Sequence, residues 1–147
     1  MLPDPRLQRL LDEREIIDTT IAYAVAIDAR QWDVLRVRVF LPDATATLGR
    51  PLVGVESIVA RIDKALSGLD SSHHLLGNHQ VTIDEDTATC RCYFQAQHTR
   101  QAAEGGPNYI VAGVYADDLV RTSAGWRISH RDLHVVWSDG NTEVVHS

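Results

Sequence analysis

The sequence is short of cysteine, of basic charge and of long apolar runs, and each shortage removes a class of protein. Only Cys90 and Cys92 are present. Two residues apart on a strand they point the same way, about 6–7 Å from each other, which disfavours a disulfide between them. With no second cysteine pair, C-x-C is also a poor start for a zinc site, and both are expected to be small buried apolar groups. Lys and Arg number 14 against 20 Asp and Glu, for a net charge of −6, and no basic run occurs. That balance argues against a nucleic-acid or anionic-membrane partner. No stretch approaches the roughly 18 consecutive apolar residues of a membrane span. The N-terminal MLPDPRLQRLLDERE lacks the apolar core of a signal peptide, so a cytoplasmic protein is expected. H-E-x-x-H, G-x-S-x-G and the P-loop are missing, as are internal repeats and low-complexity segments.

What is there suits a soluble globular chain. The 147 residues, 44% hydrophobic and 23% charged, are expected to form one domain over 1–147 with a core of its own over about 7–137. Residues 6–29 read as a helix, with Leu7, Leu10, Leu11, Ile17, Ile21 and Ala24 recurring at three- and four-residue steps. QWDVLRVRVF (31–40) reads as a short second helix stopped by Pro42, ATATL (44–48) as a short β segment and GRPLVG as a turn. Residues 55–69 form a third helix, apolar at Val55, Ile58, Val59, Ile62, Ala65, Leu66 and Leu69. The period then changes to that of strands, over 73–83, 87–100, 109–122 and 126–137, followed by a polar tail, SDGNTEVVHS. Helices first and a meander of long strands after them predict an α+β fold, with three N-terminal helices packed on a strongly curved, mainly antiparallel sheet. Such a sheet closed by helices is a cone that can hold a small molecule.

Seven histidines are many for such a chain, and histidine is the side chain that titrates near neutral pH. His98 continues the face of Ala88, Cys90, Cys92, Phe94 and Ala96, so it points inward. On the strand before it, parity from Val81 and Ile83 brings His73 inward, whereas a bulge at Gly77 brings in His74; pattern leaves both open. Trp126 and Ile128 share one parity and Leu133, Val135 and Trp137 the other, so a bulge within 129–132 is expected, and the facing of His130, Arg131 and His134 depends on it. His130 and His134 would lie about 13 Å apart along a strand, too far for one metal ion. His73, His79 and His146 are most simply surface residues. Asp28 ends the helical stripe of Ile17, Ile21 and Ala24, where a carboxylate is costly unless paired and unfavourable with the helix dipole.

The segments REIIDTTIAYAVAIDARQWDVL, LPDAT, the G-x-E-x-I start of the third helix (Gly54, Glu56, Ile58), HHLLGN and GWRISH resemble the SnoaL-like branch of the nuclear-transport-factor-2-like superfamily of cone-shaped folds. That branch includes scytalone dehydratase, hexachlorocyclohexane dehydrochlorinase and bile-acid dehydratase. The resemblance covers roughly residues 7–137. It implies a catalytic pair of Asp28 and His74, the latter four residues before Asn78, and so a bulge near Gly77. It also implies a cavity taking in Tyr23, Trp32, Cys92, Phe94, His98 and Arg131. Ile27 stands where scytalone dehydratase carries a tyrosine, and the late-strand arginine of the dehydrochlorinase falls at Leu133, beside Arg131.

The function so implied is that of a cofactor-independent, dehydratase-like lyase or isomerase. Its Asp–His dyad would take a proton from a small hydrophobic cyclic substrate, and no metal or cofactor is called for. The same cone also serves as a non-catalytic ligand-binding or scaffold subunit, or as a polyketide cyclase or epoxide hydrolase. The outer sheet face and the region of Trp137 point to a homo-oligomer, dimer or trimer.

Overall fold

The structure, a computed structural model, describes residues 4–146; residues 1–3 and Ser147, which the expected domain takes in, lie outside the described residues. Helix α1 spans Pro5–Asp28. It opens on Asp4, whose side chain accepts from the Arg6 N–H, and on a proline, which loses nothing where no intrahelical donor is needed. Helix α2 (Trp32–Val34) runs on as a π-helical turn over Leu35–Val39. Strands β1 (Phe40–Thr47) and β2 (Pro51–Val53) form a hairpin, and α3 (Val55–Leu66) follows. Strands β3 (Ser71–Asp84), β4 (Thr87–Thr99), β5 (Asn108–Thr122) and β6 (Gly125–Gly140) make up the long meander.

The six strands lie in one sheet in the order β2-β1-β6-β5-β4-β3. Among the described residues only the β1–β6 pair is parallel. Three helices against this curved sheet are the expected α+β architecture. Ile16, Tyr23, Ile27, Leu35, Phe40, Ile58, Cys90, Tyr115, Trp126 and Ile128 are buried together between the layers. None of the described helices is long and apolar enough to cross a membrane.

Four local expectations are corrected. GRPLVG is not merely a turn: Pro51–Val53 pairs with Thr45–Thr47. The last residues are not a loose polar tail. β6 runs on to Gly140, and Thr142–Val144 forms a 3-10 turn that buries Val144 and takes hydrogen bonds from Arg100. The third helix stops at Leu66, short of Leu69. On α1 the sheet-facing side is that of Asp12, Ile16, Thr19, Thr20, Tyr23 and Ile27, while Leu7, Leu10, Leu11 and Ile21 are exposed. Periodicity alone missed this because the helix carries apolar residues on both sides. Thr19 and Thr20 can face the core because their hydroxyls donate to the Glu15 and Ile17 carbonyls. Asp12 can because it is clasped by both Arg121 guanidinium Nη atoms, at 2.6 and 3.0 Å, and by the Trp126 indole N–H at 3.0 Å.

Irregularities in the sheet decide which side chains face inward. In β3, Asn78 and His79 oppose the single residue Cys92, since Gly77 pairs with Tyr93 and Gln80 with Arg91. In β6, Ser129 and Val136 are the extra residues. The first of these lies within the expected 129–132 and turns Arg131 and Leu133 inward, leaving His130, Asp132 and His134 on the outer face.

Candidate active site

A cavity of about 270 Å³ opens between the sheet and the helices. Its wall includes Tyr23 and Ile27 from α1, His74 from β3, His98 from β4, Tyr115 from β5 and Leu133 from β6. The volume is at the small end for a ligand cavity, and most of the wall is apolar.

Asp28, at the end of α1, meets His74 at this wall. Asp28 Oδ1 lies 2.7 Å from His74 Nδ1, and Oδ2 accepts the His74 backbone N–H at 2.8 Å. The bulge at Asn78 and His79 gives β3 the parity that faces His74, rather than His73, toward Asp28. Ser72, two residues back on the same face, donates to Asp28 Oδ1 at 2.9 Å and accepts from Arg30 Nη1 at 2.8 Å. Arg30 in turn caps the Ile27 carbonyl. Burial pushes the Asp28 carboxyl up, but hydrogen bonds from the His74 side chain, its backbone and Ser72 outweigh this and hold the group below the ordinary carboxylate range. An ionised carboxylate only accepts hydrogen bonds. The proton of the short contact therefore sits on Nδ1, and Nε2 of His74 is the ring nitrogen not engaged by Asp28. The pair can accept a proton at Nε2 and stabilise the resulting imidazolium.

His98 packs edge-on against His74, ring centroids 6.1 Å apart. Burial, with His74 beside it, lowers its pKa, so it stays neutral; Nδ1 faces the Tyr109 carbonyl at 3.3 Å. Burial likewise raises the phenols of Tyr23 and Tyr115, which remain protonated donors.

Of the residues expected to line the cavity, Tyr23 and His98 are on its wall and four are not. Arg131 is fully buried, sandwiched 4.2 Å from the Tyr23 ring and 4.1 Å from the Tyr115 ring, and forms a two-pronged ion pair with Asp117, both contacts 2.7 Å. It lies behind the two tyrosines because the Ser129 bulge turns it into the core. Its Nη1 is the buried side-chain polar atom left without a partner among the described residues. Phe94 stacks on Tyr115 at 4.4 Å, and Cys92 pairs in register with Tyr115, so the Tyr115 ring takes their place on the wall. Trp32, the first residue of α2, packs against the core. The thiols of Cys90 and Cys92 are pushed up to about 12 and about 11 by burial.

Several residues escaped the sequence reading. Asp117 shares the parity of Tyr115 and Leu119, and a carboxylate on an apolar face was the available signal. Ser72 shares the parity of His74. His79, expected at the surface, is half-buried with Nε2 2.9 Å from Thr20 Oγ1, because it shares the inward parity of Val81 and Ile83. Among the described residues, no group of three or more His, Cys, Asp or Glu side chains is placed to hold a metal ion.

Comparison with known proteins agrees with this fold. The family profile described as the SnoaL-like domain matches residues 8–132. The uncharacterized protein Rv2910c of Mycobacterium tuberculosis is 36% identical over 127 residues, 82% of each chain. The Kfla4162 protein of Kribbella flavida superposes with a TM-score of 0.86 at 28% identity, covering 95% of this chain and 99% of that one. The fold is also shared with the hexachlorocyclohexane dehydrochlorinase LinA-type3 of Novosphingobium barchaimii (TM-score 0.80, 18% identity, 93% and 94% covered).

Proposed function

The chain belongs to the SnoaL-like domain family, and from that premise we propose that it is a cofactor-independent lyase or isomerase in which Asp28 and His74 abstract a proton from a small hydrophobic cyclic substrate. The observation that carries this reading is the 2.7 Å contact between Asp28 Oδ1 and His74 Nδ1 at the wall of an apolar cavity. In the proposed step His74 Nε2 takes a proton from the carbon next to a carbonyl. The electron pair left behind forms a C=C bond, and the group on the next carbon departs with its bonding pair. The imidazolium returns the proton to that group, so hydroxide leaves as water and the histidine is restored. In the isomerase variant the proton returns to carbon instead. Asp28 fixes the tautomer, and Tyr23 donates to the carbonyl oxygen as negative charge develops there.

The test is a panel of cyclic β-hydroxy ketones and β-hydroxy thioesters. On any compound turned over, Asp28→Asn and His74→Gln should each lower kcat about 10²–10⁴-fold while leaving the circular dichroism spectrum unchanged. Turnover that survives both changes would overturn the reading. A compound bound tightly but never turned over would favour the ligand-binding alternative on the same cone.

The outer face of the sheet supports a second element, self-association. Tyr93, Val136 and Trp137 are exposed around a groove floored by Ala112 and Val114, and the Leu75–Gln95–Ala112–Trp137 register places exposed Leu75 in line with it. We infer that a second copy of this chain covers this face, which water alone would cover at a cost.

A further inference from the structure

A second depression, of about 510 Å³, lies between β2 and α3. Arg50, Ser57, Arg61 and Lys64 line it, and Arg61 lines the inner cavity as well. Arg61 is thus common to the walls of both spaces. Gly49, on the wall of the inner cavity, has φ +78°, and a Cβ there would come within 3.1 Å of Arg61 Nη2. Glycine thus leaves room for Arg61, whose Nε donates to the Leu48 carbonyl at 3.2 Å.

The charge of this depression runs against that of the chain. The net charge is −6, yet three cations gather here, and none has an ion-pair partner among the described residues. Glu56, the acid at the start of α3, is held by Arg36 and turned away. Unpaired cations converging beside an apolar cavity are an anion site joined to a hydrophobic one. One carboxylate is satisfied by one guanidinium, whereas the three or more oxygens of a phosphate can engage several cations together.

We propose that the ligand of this cavity carries a phosphate-bearing tail, which is held by Arg50, Arg61 and Lys64 while its apolar body lies beside His74. This rests on the cavity being the site of action described above and names the class of molecule that enters it.

Hexyl phosphate, hexanoate and hexanol separate the possibilities by calorimetric titration. Hexyl phosphate should bind tightest and weaken as salt is raised. Arg61→Gln should weaken it about fivefold and Lys64→Gln about threefold, with hexanol binding unchanged in the Lys64 variant. Lys64 is the one lysine of the chain, so protection from an amine reagent, read at that residue by mass spectrometry, gives the same answer in the unmutated protein. Equal binding of hexyl phosphate and hexanoate, or no effect of Arg61→Gln together with no protection of Lys64, would overturn the assignment. The His74→Gln variant keeps the two readings apart. Phosphate preference that survives when His74→Gln fails to reduce turnover sinks the dyad alone, and lost preference beside a working dyad sinks the groove alone.

Discussion

At the residue scale, the Asp28 carboxylate has more partners than a helix end normally provides: two groups of His74 and the Ser72 hydroxyl, with Arg30 behind Ser72. This arrangement makes a prediction about stability. The folded-state pKa of Asp28 lies below its unfolded value of about 3.9. Its ionised form therefore contributes stability that is fully present above the unfolded value and is lost as pH falls through the folded one. The gap in urea midpoint between the wild type and Asp28→Asn should be widest near neutral pH and shrink below about pH 4. A gap that stays constant down to pH 2.5 would contradict the assigned partners. Asp28 stood out in the sequence as a carboxylate ending the stripe of Ile17, Ile21 and Ala24, although Ile21 is exposed, and it was the resemblance that paired it with His74. Asp117 was equally legible by parity and went unread, while Arg131 could not be placed, since its facing depends on which residue of β6 is the extra one. Once placed, the two explain each other. A buried arginine is tolerated where a carboxylate takes two of its donors and aromatic faces cover its planes.

At the element scale, the irregular points of the strands determine the site. The break in parity along HHLLGNHQVTI was visible in the sequence, and glycine was its natural explanation. Yet the residue with the left-handed backbone is Asn78, at φ 53°, while the space around a Cβ on Gly77 is open. Asparagine is among the few side chains that accept this conformation. Asn78→Gly should therefore be nearly neutral and Asn78→Val destabilising by about 1–2 kcal/mol, measured by urea unfolding. Deleting Asn78 should restore a regular ladder and keep His74 and Ser72 on the inner face, because His74 and Val81 then lie an even number of residues apart. The Asp28–His74 pair should persist in such a chain, and retention of the His74 side-chain signal perturbed by Asp28 in NMR spectra would report it. A deletion variant that loses the pair would show that the extra residue does more than correct the parity. The short β2 was hidden because three residues flanked by Gly49, Arg50 and Gly54 read as a turn until a partner strand is known.

At the scale of the whole molecule, element order alone gave α+β, since helices followed by long strands with short turns leave few other ways to bury one face of each. The parallel β1–β6 pair and the docking of Thr142–Val144 through Arg100 could not be read, because both join segments far apart in sequence whose own patterns are neutral. The apolar outer face leads to an expectation about size. Light scattering at micromolar concentration should report a dimer or trimer, and Trp137→Lys, which sets a charge in the middle of that face, should shift it toward the monomer without altering the urea midpoint extrapolated to low protein concentration. A wild-type monomer at these concentrations would remove the second copy from the account.

The two cysteines, introduced as a scarcity, have a practical consequence. Both lie on β4, between β5 and the edge strand β3, shielded from solvent and held as thiols by burial. A disulfide reagent finds neither surface nor thiolate while the sheet is closed. Its reaction rate with the native chain is then a clock for how often the wall behind Tyr115 parts from its neighbours. That gives the cone a built-in reporter of breathing, readable with no ligand, no label and no known activity.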